Sequence, residues 1–502
     1  MYMPQLPTFL ILLLLFQCNK GNTQPELKTN SQQTTQMLEF LADDKRMGRR
    51  TGEPGNNEAA QYIADKLKSF GVSYAPGMNS YFQKIPFELV KPVEKYTLEL
   101  NQIPFDPITD CLILIGKASF RQIPVVFARY GLIDEATGKN DYEGLDVEGK
   151  IVVVLPGESG NNQPSAVMSA SKKKRVLAAK YKAAALLELY QLNLPWAFFT
   201  NYFGRESLQL ENPDAGPQDQ LIYGWVKDKS DLIKKELIAG KKELLGSVSA
   251  GGSSVIPKNS QNVVGFIQGA HPTLNKEYLL LTAHYDHVGT GKKGGAFTAE
   301  DSIFNGARDN AMGTVAILHA AAALAKKKPK RSILFLAVTG EEIGLLGSKY
   351  FAENPAIPLS DIIFNLNTDG AGYNSKNHVS IIGWGRTGVD SLIADATKKV
   401  GLGIFKNPAA EQNLFDRSDN VSFAEKGIPA LTFSPGFDAF DDEISKYYHR
   451  PEDEADTVDK TYLLKFSQSL AYLARLIADS PVLPKWVAGD KYEEEGIKRY
   501  KK

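Results

Sequence analysis

Cysteine is nearly absent: the 502-residue chain holds two, Cys18 and Cys111, so no disulfide framework shapes the fold and at most one bridge is available. An excess of either charge is missing too, because 58 Lys and Arg balance 58 Asp and Glu. That balance argues for no nucleic acid as partner and for no broadly basic membrane-binding face. The apolar run from Phe9 to Phe16 is too short to span a bilayer, and neither internal repeats nor long low-complexity tracts occur. What remains is an ordinary globular composition, 43% hydrophobic and 23% charged. A prior of roughly 150 residues per domain divides this length into two or three units. Any function has to sit in a local site.

The opening stretch MYMPQLPTFLILLLLFQC suits the apolar centre of an export signal. With Cys18 directly after it, residues 1–18 resemble a bacterial lipoprotein signal, which makes Cys18 the expected lipidated residue and 19–34 a polar tether. Two features depart from that pattern: no Lys or Arg precedes the run, and Phe16 and Gln17 stand where small residues are usual. A simple secretory signal is the alternative. Either way the chain is expected to be exported, to the bacterial cell envelope by a lipid anchor or as a secreted protein.

From about Gln36 to Phe70 the pattern is helical, with Ala60, Ile63, Ala64 and Leu67 at helical spacing and Gly71 ending the run. Between about Val93 and Ser249 short β-like runs (TLELN, CLILI, PVVFARYG, KIVVVLPG) alternate with turns, and Lys173 to Tyr190 reads as an Ala-rich helix followed by an apolar strand. That span holds no metal-ligand cluster. The Gly-Ser stretch at 251–254 reads as a linker out of it. From Asn262 onward strand and helix alternate, which predicts an α/β fold: a mixed central sheet flanked by helices on both faces, with functional groups at strand carboxyl ends. The charged end, 483–502, reads as a solvated tail.

The chemistry concentrates where polarity changes at the ends of apolar runs. In LLLTAHYDHVG, alternation along a strand puts His284 and Asp286 on one side, so His284 can offer one ring nitrogen to a metal while Asp286 holds the other N–H. Taken alone, that pair is more often part of a solvated loop; its partners downstream reverse the odds. Asp309 lies in NGARDNAMG, Glu341 and Glu342 follow the buried run RSILFLAV, Asp369 follows DIIFNLN, and His449 lies in YYHRPEDEADTVD. Two successive carboxylates straight after a buried strand are costly unless one is ligated or paired. Charge counting favours two metals: two Zn²⁺ are balanced by Asp309, Glu342, Asp369 and a hydroxide, with His284 and His449 neutral. A single catalytic zinc takes about three protein ligands, so five candidates are too many for one. Glu341 is left over as the base.

In their order, AHYDHVG, IFNGARDNAMG, FLAVTGEEIGLLGS, NTDGAG and YHRPEDEADTVD resemble the zinc-dependent aminopeptidases with two co-catalytic zincs, over about Leu38 to Ser480. The segment VVFARYGL…NDYEGLDVEGKIVVVLPG with the Ala-rich helix resembles a protease-associated domain, which such enzymes carry in secreted form. The resemblance implies a zinc exopeptidase fold over 35–92 and 255–482 with a β-rich protease-associated insert at 93–250. It implies two Zn²⁺ per chain, one held by His284 and Asp369, the other by Glu342 and His449, with Asp309 bridging. Asp286 would orient His284, Glu341 would act as general base then acid, and the Asp309–Asn310 peptide would be cis. Arg308 stands where many relatives have an acid, and Asn420 where His is common, which makes Asn420 a candidate substrate residue. Tyr448 is the candidate oxyanion donor, and Asn367 competes with Asp369 as the ligand. The implied activity is hydrolysis of the N-terminal bond of peptides with a free amino terminus. A carboxypeptidase or dipeptidase, a single-zinc cyclase, and an inactive receptor on the same scaffold are the alternatives, with Arg308 and Arg417 as cations for a carboxypeptidase. His271, His319 and His378 read as ordinary core or surface residues, and His287 as a close neighbour of the site. The oligomeric state is not legible.

Overall fold

The computed structural model describes residues 30–134, 137–160, 164–211, 221–229, 233–238 and 243–500. The signal, Cys18 and residues 19–29 lie outside the described residues. The first helix, Ser31–Leu41, starts inside the stretch expected as tether, because the Asn30 side chain caps it by accepting from Gln32 N at 2.9 Å.

The larger of two main sheets runs, edge to edge, through Gly403–Lys406, His378–Ile382, Ala430–Pro435, Ile362–Asn367, Tyr278–His284, Ser332–Val338, Ser254–Ile267, Phe82–Lys91 and Ser207–Leu210. Its centre is parallel: Tyr278–His284 pairs in parallel with Ser332–Val338 on one side and Ile362–Asn367 on the other, and the latter with Ala430–Pro435. Strands there are buried almost without a break and mostly apolar, as a sheet covered on both faces demands. Alternate residues serve the two covers. Leu279, Leu281, Ile333 and Phe335 pack under the helices Pro54–Ser69, Met312–Lys326 and Lys460–Asp479, whereas Leu280, Leu334 and Leu336 meet Phe351 and Phe423 from the shorter helices behind. The expected architecture is therefore observed. The Met312–Lys326 helix is buried on every side through Leu324, which is why its sequence is so poor in charge.

The second sheet has eight strands, in the order Ile103–Phe105, Tyr96–Leu100, Leu244–Gly251, Lys117–Phe127, Ile151–Val154, Ala185–Leu189, Ile222–Val226 and Cys111–Ile115. The helix Pro164–Lys180 connects two parallel strands of this sheet, and it begins nine residues before the expected start at Lys173. One short strand within 93–250, Ser207–Leu210, pairs instead with Phe82–Lys91 of the larger sheet. Cys111 is buried and has no disulfide partner among the described residues.

The charged C-terminal segment is not a solvated tail. Trp486 and Tyr492 are buried against Phe415, and Asp490 accepts from the Arg386 guanidinium at 2.7 and 2.9 Å. The apolar residues between its charges, too few to set a period, dock it. No described helix is long and apolar enough to cross a membrane.

Candidate metal centre

The parallel strands deliver the acidic groups by ending side by side. His284 closes Tyr278–His284, Glu341 and Glu342 follow Ser332–Val338, and Asp369 follows Ile362–Asn367. Asp309 arrives from the turn before Met312, after the left-handed Gly306 (φ 57°), where a Cβ would sit 2.3 Å from the Asp309 carbonyl oxygen and 2.6 Å from the His287 ring. The Asp309–Asn310 peptide is cis. His449 comes from the loop after Asp442–Tyr447.

These side chains converge. His284 Nε2 lies 3.0 Å from Asp369 Oδ1 and 3.3 Å from Asp309 Oδ1; His449 Nε2 lies 3.3 Å from Asp309 Oδ2 and 3.1 Å from Glu342 Oε2. Asp309 is thus the residue common to both sides. Three sets, His284 with Asp309 and Asp369, His287 with Asp309, Glu342 and His449, and His284 with Glu341 and Glu342, each hold their ligand-type atoms within 4.8 Å of one another. Among the described residues, no side chain of 93–250 joins such a set. Glu341 Oε2 stands 4.0 Å from His284 Nε2.

The electrostatics ask for cations. Burial opposes a proton on His284, yet Asp369, Glu341 and Asp309 outweigh it and hold its pKa well above the usual value; His449 is likewise pushed up to about 10 against burial, by Glu342 and Asp309. Burial works to raise Asp309 and Glu342, but the imidazoles of His284 and His449 take Asp309 well below the carboxylate range, and His449 with His287 takes Glu342 to about 2. Glu341 goes the other way: burial first, then Asp369 and Glu342, raise it well above the usual value. Buried imidazoles and carboxylates bound to each other through protons are the donor set that zinc displaces protons from, and nitrogen and oxygen donors of this kind fit it.

Asp286 departs from its expected contact. His284 Nδ1 lies 3.2 Å from the Asp286 main-chain oxygen and 3.9 Å from its carboxylate, because that carboxylate is drawn to Thr51 Oγ1 (2.9 Å) and the Glu341 amide (3.3 Å). Asn367 is spent on Thr282, Ser418 and Thr432, which leaves Asp369 as the acid facing His284; Asp369 in turn accepts from Ser418 at 2.5 Å. Asn420 is wholly buried, donates to the Phe415 carbonyl and accepts from Thr432, so it is scaffold and not a substrate contact. Arg308 faces away: its guanidinium lies 3.6 Å from the Tyr447 ring centre and donates to the Thr457 carbonyl. Tyr448 and Arg417 do line the cavity over the site, with Ile382, Leu414, Phe437 and Phe440 as its apolar wall. The Tyr448 ring stacks on His449 at 4.2 Å, and burial raises its hydroxyl pKa, so it stays a donor.

Two supports had no legible signal. Asp453 accepts from the Arg308 and Asp309 amides at 2.9 to 3.1 Å and fixes the turn that aims Asp309. Arg49, fully buried, donates to the carbonyls of Tyr285, Leu41, Asn305 and Gly306 and ties both ligand loops to the N-terminal helices. Each reads in sequence as one more surface charge. His271 and His378 lie elsewhere, as expected, on Thr273 and on Phe405.

Residues 262–474 match Peptidase family M28. Aminopeptidase YwaD of Bacillus subtilis is 29% identical over 211 residues, 41% of this chain and 42% of that protein. The vacuolar membrane protease of Lachancea thermotolerans is 26% identical over 228 residues, 45% of this chain and 21% of the relative. The alignments therefore span less than half of these curated relatives. The fold of the aminopeptidase from Aneurinibacillus sp. strain AM-1 superposes with a TM-score of 0.56 at 20% identity, covering 92% of this chain and 96% of that one. The matched segment contains His284, Asp309, Glu341, Glu342, Asp369 and His449, so the candidate site lies wholly within the part of the chain that is similar to Peptidase family M28.

Proposed function

We propose that the protein is an exported zinc aminopeptidase that holds two zinc ions and releases the N-terminal residue of peptides. The observation that carries this reading is Asp309, whose two oxygens face His284 and His449 separately, so that one carboxylate serves two adjoining sets of donors. His284 and Asp369 would hold one ion, Glu342 and His449 the other, with Asp309 between. Bound zinc in such a pair acidifies water and polarises the carbonyl under attack.

The chain's own residues supply the rest. Glu341, its pKa raised by burial although His284 lies 4.0 Å away, is poised to take a proton from the attacking water and return it to the leaving amine. Carboxylates of Glu341, Glu342 and Asp369 attract the substrate ammonium in a site shielded from solvent. Ile382, Leu414, Phe437 and Phe440 offer an apolar seat for the first side chain, and Tyr448 a donor for charge growing on the carbonyl oxygen. Residues 93–250, read as a protease-associated insert, cover the approach and, among the described residues, supply no ligand.

The test is zinc content together with turnover. Close to two zinc per chain, and hydrolysis of leucine p-nitroanilide but not of its N-acetyl form, is the expected result. Equal rates on both, or a requirement for a free carboxyl terminus, would overturn it in favour of a carboxypeptidase or dipeptidase, the reading that Arg417 at the cavity favours. Fractionation of cells carrying wild-type or Cys18→Ser protein tests the export and anchoring part.

A further inference from the structure

Glu342 belongs to two cavities. One is the small space over the metal centre; the other, of about 560 Å³, starts at Asp286, His287 and Glu342 and runs out beneath the second sheet. Away from the metal centre its charged lining is Arg50, Arg175, Arg205 and Lys293 against the single acid Glu206. Lys293 already holds Glu206 at 2.9 Å and Glu53 at 3.3 Å, and Arg50 lies 3.9 Å from Glu53. Arg175 and Arg205 form no ion pair among the described residues. Each lies on an aromatic ring instead, Arg175 at 5.2 Å from the centre of Tyr223 and Arg205 at 4.8 Å from that of Tyr202, and Arg175 Nε is buried without a hydrogen-bond partner.

An unsatisfied buried guanidinium N–H is costly, and a carboxylate is the group that matches its fork of donors. Resting on the aminopeptidase reading, we propose that this cleft receives the peptide beyond the cut bond, and that Arg175 and Arg205 bind a carboxylate it carries there. With the ammonium end held beside Glu341 and Asp369, the chain leaves past Glu342, and that is the side on which the cleft opens. The carboxylate can be the C terminus of a short peptide or the side chain of a downstream Asp or Glu; the guanidinium chemistry is the same for both.

The experiment compares kcat/KM for two pairs of substrates with zinc-loaded full-length protein: Leu-Gly-Gly against its C-terminal amide, and Leu-Gly-Glu-amide against Leu-Gly-Gln-amide. The expected preference for the charged member is about tenfold, the scale of a charge-assisted hydrogen bond. Preference in the first pair identifies the chain terminus as the source, and in the second an acidic side chain. In Arg205→Ala and in Arg175→Gln the ratio should fall towards one, with Arg205→Lys keeping part of it; Arg205 is exposed, so its variants fold even if Arg175→Gln does not. Ratios near one for both pairs in the wild type, or a preference that survives in Arg205→Ala, would refute the subsite alone. Failure to cleave any of the four peptides would refute the aminopeptidase reading and the subsite with it.

Discussion

His287 Nδ1 lies 2.7 Å from one oxygen of Glu342 while His449 Nε2 lies 3.1 Å from the other, so a single carboxylate is clamped between two imidazoles. The His287 ring is fully buried, and Gly306 packs against it too closely for any side chain larger than hydrogen. Its position is therefore fixed independently of Glu342. Replacing it by Ala should weaken zinc at the Glu342–His449 position about 10–100-fold, the usual cost of losing a group that orients a ligand. Competition with a chromogenic chelator reads this directly, and unchanged affinity at both positions would reduce His287 to padding.

Glu341 and Asp309 should separate cleanly. Glu341→Gln is expected to keep both zinc ions and lose at least ~10²-fold in turnover, the usual scale for general acid–base help. Asp309→Ala should lose metal and activity together, because two of the three donor sets share it. Metal analysis of the two variants decides; zinc lost from Glu341→Gln would mean that the roles of Glu341 and Glu342 are exchanged.

His319 predicts an acid limit to stability. It sits in the buried face of Met312–Lys326 with Thr34 Oγ1 3.3 Å from its Nδ1, and burial, with Lys326 adding to it, pushes its pKa down to about 3. Below about 6.5 the unfolded chain takes up a proton that the folded chain refuses until about 3. Stability from this residue is thus complete above pH 6.5 and lost as pH falls, at up to about 1.4 kcal/mol per unit. Urea midpoints at pH 7, 5.5 and 4 should fall more steeply for the wild type than for His319→Gln, and parallel curves would sink the idea.

A chain ending at residue 483 should be measurably less stable. It loses two buried aromatic side chains, Trp486 and Tyr492, and the bidentate Arg386–Asp490 pair, whose guanidinium lies 3.9 Å from the centre of the Phe415 ring. Burial of two large apolar side chains is worth about 3–6 kcal/mol. Differential scanning calorimetry should show a lower Tm for this chain than for the exposed-site control Lys491→Ala; equal values would restore the picture of a solvated end.

The residues proposed to hold metal were legible because metal binding constrains type and place together. His284 closes an apolar run and Glu342 and Asp369 follow one, and parallel pairing brings the carboxyl ends of those strands together, whereas Asp309 and His449 come from loops and were legible only through their motifs. The supports were not, since Arg49 and Asp453 act on main-chain atoms, and any stretch of backbone offers those. Asp286 shows the same limit from the other side. Its spacing from His284 was right, but the competing donors Thr51 and the Glu341 amide come from segments 235 and 55 residues away. Trp486 and Tyr492 were hidden by the charges around them, as their partner Phe415 is distant in sequence.

The strand Ser207–Leu210 makes the covering region impossible to exchange as a cassette. It leaves the second sheet, adds itself to Phe82–Lys91 at the border of the larger one, and the chain then returns to finish the second sheet with Ile222–Val226 and Leu244–Gly251. A version cut from 96 to 251 would leave Phe82–Lys91 with a naked row of peptide groups, the template on which copies of a chain add to one another. During synthesis the same row stays unpaired until residue 210 has emerged. Loss of the cover would therefore register first as clumping in the growing cell, before any change in substrate range.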